Sequence, residues 1–395
     1  VLAFISGDLF DLWGAGPVQF SLGGEWRKES TQGTVDYAVT DPRFLFANTG
    51  LDFPKTSFGV KEGFFEARIP LLADTFIAQS LEVGGAVRVS DYSSIGTTTT
   101  WNTNAVWELN DQITLRGTYG VAVRAPNLSE LFSPPGQTFL QITDPCSVPV
   151  IAGTVDATIR NNRISNCAAA GVPGAYVDPN PASSNAGQQG GNSILKAEKS
   201  RSWTASLIYQ PEWLDRFSMV VDFYGIEISD AIANPTIQAL VNGCYDGNSL
   251  NTNFCSQFTR NAGTFEINFF NLSPVNFQAL KARGIDYAFK YSFDLADGWG
   301  QGGLIPGSID FQLRGSYVMH RVNFVNVSDP TDQTELDGTV GVPKNRFLVT
   351  TAWNLGKFRL AHDLDYFTSQ DFEESEAYIG NEDSGLQAYR KTGPF

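Results

Sequence analysis

The 395-residue chain has only two methionines, two histidines and four cysteines. No stretch approaches the roughly 18 consecutive apolar residues that a membrane-spanning helix requires, so a helical membrane protein is excluded. Basic residues are scarce: 27 Lys and Arg face 42 Asp and Glu, for a net charge of −15. Phosphate backbones need a basic face, so nucleic acid is excluded as a partner. His320 and His362 have no Ser or Cys partner motif, and there is no nucleophile elbow, P-loop or zinc spacing. The sequence therefore supports no enzyme, metal site or resident cofactor.

What is present is aromatic and glycine-rich: 13% Phe, Trp and Tyr, with 38 Gly, a balance that suits wide sheets. In Arg116–Pro135 an alternating strand breaks into a proline-capped loop with no further strand pattern until about Ser200. Ile113, Leu115, Tyr119, Val121 and Val123 share one face, and Thr114, Arg116, Thr118 and Arg124 the other. Later segments repeat this. Ile285, Tyr287, Phe289, Tyr291 and Phe293 oppose Asp286, Lys290, Ser292 and Asp294. Phe311, Leu313, Tyr317 and Met319 oppose Asp310, Gln312, Arg314, Ser316 and His320. Phe358, Leu360, Leu364 and Tyr366 oppose Arg359, Asp363 and Asp365, with His362 on the apolar stripe. A sheet with an apolar outside and a polar inside belongs in a bilayer.

Twelve strands are expected: Val1–Trp13, Pro17–Arg27, Val60–Leu71, Leu81–Asp91, Thr97–Leu109, Ile113–Ala125, Ser202–Tyr209, Phe217–Asp230, Gln278–Leu295, Ile309–Val325, Lys344–Asn354 and Lys357–Phe367. Mostly short connections on one side and long ones on the other give an all-β, antiparallel, up-and-down transmembrane barrel. Trp13, Trp107, Trp213, Phe217, Phe293, Trp353 and Phe358 gather beside the short turns, as rings with a polar edge do at a membrane boundary. A soluble β-sandwich also alternates, but it would not keep one face of every strand polar with loops of about seventy residues on one edge.

The cysteines form two sequence-local pairs inside long loops, Cys146 with Cys167 and Cys244 with Cys255. Read as disulfides, each stabilises its loop by about 3 kcal/mol on a chain-entropy estimate and places the loops in an oxidising compartment. The polar run from Asn180 to Gly191 reads as a flexible loop tip. The acidic runs Asp329–Asp337 and Glu373–Asp383 match no calcium loop and read as a solvated outer face.

Three boxes resemble TonB-dependent outer-membrane receptors. Val123-Arg124-Ala125-Pro126-Asn127-Leu128, followed by Ser129-Glu130-Leu131-Phe132, is similar to the family's Phe-Arg-Ala-Pro-Asn-Leu-x-Glu-Leu segment. Leu195-Lys196-Ala197-Glu198-Lys199-Ser200 is similar to its Asn-Leu-Lys-Pro-Glu-x-Ser box, and Ala282-Arg283-Gly284-Ile285-Asp286 to its later Gly-Ile-Asp/Glu strand. Order and spacing agree across all three. The resemblance implies a twenty-two-stranded barrel in a Gram-negative outer membrane, plugged by an N-terminal domain and energised by a TonB-type complex through the periplasm. It implies uptake of a scarce small-molecule ligand. On this reading residues 1–395 are a fragment of the barrel, about twelve strands, lacking the plug and truncated at both ends. Loops 126–199 and 230–276 would be extracellular and set specificity.

Arg116 and Arg124 point inward and would hold an anionic ligand or, as the favoured reading, ion-pair with the plug. Phe139, Tyr176, Tyr245 and Phe254 would stack on sugar or chelate rings, or else pack the loops against themselves. Haem receptors of the family carry a His between the first two boxes, and no His lies between Pro126 and Leu195, which disfavours haem. A ferric siderophore, an oligosaccharide or a cobalamin-like ligand remains. The rival functions are a passive porin or surface adhesin on the same barrel, and a secreted carbohydrate-binding module.

Overall fold

The computed structural model describes residues 1–36, 43, 51–295, 307–324, 333–371 and 393–394. In chain order the strands are β1 (Leu2–Asp11), β2 (Pro17–Gly33), β3 (Phe53–Thr75), β4 (Ala78–Tyr92), β5 (Gly96–Asn110), β6 (Ile113–Arg124), β7 (Gly136–Gln141), β8 (Ser184–Gln189) and β9 (Glu198–Tyr209). They continue with β10 (Phe217–Ala233), β11 (Phe258–Arg260), β12 (Ile267–Leu272), β13 (Val275–Asp294), β14 (Ser308–Phe324), β15 (Thr334–Glu335), β16 (Asn345–Leu355) and β17 (Phe358–Phe367). One antiparallel sheet runs β1-β2-β3-β4-β5-β6-β9-β10-β13-β14-β16-β17, with β15 added to the end of β14. All twelve strands expected from the alternation are on that path. Among the described residues β1 and β17 remain edges, so the sheet is an open arc of barrel wall.

Register shows that one face of this wall is continuously apolar. Residues paired across strands share a face, and one row reads Leu81, Trp107, Leu115, Leu207, Val221, Tyr287, Gly315, Phe347, Tyr366. Every member is apolar, aromatic or glycine. The row begins near the short turn before β4 and ends near the far end of β17, because tilted strands make a hydrogen-bonded row climb the wall. On this face no Asp, Glu, Lys or Arg lies between Trp203 and Tyr209 of β9, Phe217 and Gly225 of β10, or Ile285 and Phe293 of β13. Nine residues at about 3.3 Å each, tilted by about 40°, rise about 23 Å, close to the apolar band of an outer-membrane barrel. Leu22, Phe65, Val87, Trp101, Tyr119, Trp203, Phe223 and Leu360 of this face are exposed, a belt far too wide for a wet surface.

Several strands are longer than the alternation indicates. β3 starts at Phe53 rather than Val60, β2 runs on to Gly33, and β10 to Ala233. The added lengths lie at the long-loop end, above the apolar band, where both faces are wet and hydrophobic periodicity is no longer imposed. A register shift opposite Arg283 and Gly284 also moves His320. It pairs with Arg283, on the row parity of Ile285, instead of continuing the polar stripe. The acidic run 373–383, the run 329–332 and most of the carboxyl end lie outside the described residues.

Val221→Arg, in the middle of the outer band, is expected to cost the vesicle-inserted full-length protein about 2–4 kcal/mol. Val220→Arg, one residue away on the inner face, costs well under half of that. Urea unfolding of the inserted proteins checks the pair, and equal costs contradict the assignment.

Candidate ligand-binding site

The long-loop end is organised around Arg124, the last residue of β6. Its Nε and Nη2 donate to the two carboxylate oxygens of Glu198, each at 2.7 Å, and its Nη1 reaches both oxygens of Glu130 at 3.1 Å. Arg124 and Glu198 are register partners at the ends of β6 and β9. The fork of a guanidinium matches a carboxylate in two parallel bonds, so the two ends of a loop of about seventy residues are held side by side. Glu130 belongs to helix α1 (Leu128–Phe132) and also closes its capping box: Asn127 Oδ1 accepts from the Glu130 N–H, and Glu130 Oε2 from the Asn127 N–H, both at 2.8 Å. Glu198 Oε1 accepts in turn from the Ile232 N–H at 2.7 Å, which brings in the end of β10. The first two sequence boxes are therefore two halves of one cluster. In the third, a Cβ on Gly284 would collide with the Tyr224 ring packed across it, so glycine there lets a tyrosine lie flat on the inner wall.

Above this base the two long loops fold together. β11, β12, β8 and β7 make a second sheet in that order, with β12 and β8 parallel. Against it lie α2 (Val148–Gly153), α3 (Ala157–Ala169), α4 (Ile237–Tyr245) and α5 (Thr252–Cys255). They share one core that includes Ile142, Val172, Leu240, Val241, Phe258 and Phe270. Both disulfides are present, Cys146–Cys167 and Cys244–Cys255, with Cα separations of 5.6 and 5.0 Å. The run from Asn180, read as a flexible tip, instead contains β8. Its small residues suit that place: the ring of Phe270 sits where a Cβ on Gly187 would be.

Polar groups lock one loop to the other. Arg260 of β11 makes a bidentate pair with buried Asp144 of the first loop, at 2.6 and 2.8 Å, and its Nε donates to the Tyr245 hydroxyl at 3.0 Å. The guanidinium lies over the rings of Tyr245, Phe258 and Tyr176, 5.4 to 5.9 Å from their centroids. Burial works against the charge on Arg260, but the bonds to Asp144 and Tyr245 outweigh it and raise its pKa. Burial, then the Asp144 charge, pushes the Tyr176 hydroxyl well above the usual phenol range, and burial raises Tyr245 as well. A second bidentate pair, Arg163 with Asp246 at 2.6 and 2.9 Å, joins α3 to the end of α4. Asn166 caps the same end by donating to the Tyr245 and Gly247 carbonyls.

This geometry sorts the expected ligand contacts. Tyr245 is 2% exposed and Tyr176 7%, so both rings build the loop core and neither offers a stacking face. Phe254 packs against that core. Phe139 on β7 is 41% exposed and keeps an open ring. Arg124, expected to meet a ligand or a plug carboxylate, is engaged by Glu198 and Glu130 of this chain. Arg116 faces inward on β6 with no ion pair among the described residues. The inner wall around it is polar, with Thr118 bonded to Thr204 at 2.6 Å. Further round the wall an open recess of about 570 Å³ is lined by residues that include Asp8, Gln19, Glu66, Arg68, Asn102 and Asn104. Sequence reasoning missed Glu62, buried on the inner face of β3 between Arg27 at 3.4 Å and Arg88 at 3.2 Å. Only pairing places those three residues together.

Arg124→Ala is expected to cost about 1–3 kcal/mol by leaving two carboxylates without their donor, and to raise protease cleavage between residues 126 and 197. Arg260→Ala strands Asp144 in the core and is expected to cost about 3–5 kcal/mol, with an apolar pair at both positions recovering most of that. Alkaline titration of phenolate absorbance checks the cage. Because the folded state holds the Tyr176 and Tyr245 phenols protonated, their contribution to stability is present below about pH 10, the ordinary tyrosine value, and is lost as pH rises above it. The latest step in the titration should vanish in the variant carrying Tyr176→Phe and Tyr245→Phe.

The chain matches the TonB dependent receptor-like, beta-barrel family over residues 2–395. It is similar in fold to the siderophore receptor PirA from Acinetobacter baumannii, with a TM-score of 0.54 at 14% identity, covering 100% of this chain and 46% of that one. It is also similar to the ferric enterobactin receptor PfeA from Pseudomonas aeruginosa, in one structure with a TM-score of 0.57 at 13% identity, covering 100% and 44%. A structure of that receptor with enterobactin bound gives 0.56 at 15%, again covering 100% and 44%. The chain thus spans less than half the length of these solved relatives. With its twelve-strand arc, and with the first two of its three boxes joined at one rim, the chain belongs to the TonB-dependent receptor β-barrel family.

Proposed function

We propose that this chain is the wall and ligand-capturing loops of an outer-membrane importer that takes up a ferric siderophore, driven through the periplasm by a TonB-type complex that engages a part of the protein beyond this chain. Family membership supports a receptor and transporter rather than an enzyme. The observation that carries the reading is the rim itself: two disulfide-bonded loops fused into one rigid unit and tied by Arg124 to a polar inner wall. A passive pore gains nothing from such a unit, whereas a receptor must hold a selective surface still at the mouth of its channel. The solved relatives named as siderophore and ferric enterobactin receptors favour an iron chelate over an oligosaccharide or a cobalamin-like ligand. Arg116 supplies positive charge for an anionic chelate and Phe139 an open ring.

In cells producing the full-length protein, uptake of labelled ferric enterobactin should stop when an uncoupler collapses the proton gradient. Uptake that continues identifies a passive porin instead, and surface attachment without uptake identifies an adhesin. Arg116→Ala should weaken chelate binding about tenfold or more, the scale of one charge-assisted hydrogen bond.

A further inference from the structure

The four-stranded sheet built by the two long loops turns one face to their shared core and leaves the other open. Phe258 and Phe270 point into the core, and Arg260 reaches the buried Asp144 on the same side. Arg260 is the only charged residue on β7, β8, β11 and β12. The open face therefore carries no charge, in a chain where 17% of residues are charged. Register arranges that face in rows. Phe139 of β7, Ala186 of β8 and Phe269 of β12 share one row, and Gln137, Gln188 and Asn271 share the next row on the same side. Phe139 and all three amides are exposed, and Phe269 is half-buried. Gln141, further along β7, is bonded to the Pro181 carbonyl at 3.2 Å. Among the described residues the side chains of Gln137, Gln188 and Asn271 have no such partner.

We propose that this face binds an uncharged, extended hexose chain of the β-1,4-linked type, laid across the strands along the row from Phe139 to Phe269. This is a second ligand beyond the iron chelate. The face offers no cation to an anionic chelate, and Phe139 is the one residue the two readings share. A sugar ring presents C–H groups on its faces and hydroxyls round its edge. A phenyl face receives the first by apolar contact. Side-chain amides receive the second, because each can donate to one hydroxyl and accept from its neighbour. Strands about 4.8 Å apart place the two phenylalanines about 10 Å from each other, with only the methyl group of Ala186 between them. In an extended β-1,4 chain every second sugar turns the same face to a surface, so alternate units meet the two rings while the unit between passes over Ala186. The amide row lies two residues along the strands, about 7 Å away, within reach of the hydroxyls on the chain's edge. With no charge on the face, no carboxylate or ammonium has to be stripped of its water when the sugar lands.

The test uses the full-length protein in phosphatidylcholine nanodiscs and titration calorimetry with two probes, cellohexaose and maltohexaose, the second a coiled chain of the same sugar. The wild type should bind cellohexaose at least about tenfold more tightly than maltohexaose, with the same affinity at low and high salt. The variant carrying Gln188→Ala and Asn271→Ala should lose about tenfold in cellohexaose affinity, the scale of the hydrogen bonds removed, while binding ferric enterobactin as the wild type does. Equal affinity of the wild type for the two hexaoses, or none for either, overturns the proposal without requiring any variant to fold, and leaves the chelate reading intact. Cellohexaose binding that survives the double substitution also overturns it, because the sugar would then sit elsewhere, such as on the polar inner wall. A wild type that binds cellohexaose but no ferric enterobactin overturns the chelate reading and supports this one.

Discussion

The rim of this protein depends on one guanidinium. Arg124 ends β6, and its fork takes both oxygens of Glu198 on the neighbouring strand while its remaining nitrogen reaches Glu130. The geometry turns a chain excursion of about seventy residues into a closed loop at no cost to the sheet, because the two strand ends are already register partners. The entropic penalty of a loop grows only slowly with its length, so a fixed base lets the loop become large enough to carry a core. Glu198 then extends the same carboxylate to the Ile232 N–H, and the second long loop leaves from a strand positioned by the first.

From that base the loops behave as a small domain. Neither loop has enough apolar surface alone, and a core drawn from both is assembled around two disulfides and the Asp144–Arg260 pair. Burying such a pair is costly, and its justification is specificity: a bidentate bond between two loops admits one relative placement. The aromatic rings expected to face a ligand are used to enclose that charge. The two loops are therefore held in one relative placement, with Phe139 exposed on β7 and Arg116 on the inner wall below.

The wall follows a simpler physics. Hydrocarbon tolerates no charge on one face and water tolerates almost anything on the other, so alternation had to appear in the sequence wherever a strand crosses the band. Gln278–Leu295 and Ile309–Val325 could be read to within a few residues for this reason. The band's edges were less legible. Above it the constraint on the outer face disappears, and strands such as β3 run on through Phe53 to Lys55 with no periodic mark. The polar segment that became β8 carried no mark either, since its backbone found partners in β7 and β12 while its side chains remained small.

By itself, the sequence determined the class of fold, the family, the number of strands in this arc, the apolar face of each strand and the pairing of the four cysteines. All of these are written in short periods or local spacing, which a bilayer or a short loop enforces residue by residue. Tertiary structure alone decided that Arg124 closes the rim and that Tyr176 and Tyr245 are core rings around Arg260. These are meetings between residues tens of positions apart, and such distances are set by register and loop packing, which leave no periodic trace in the chain.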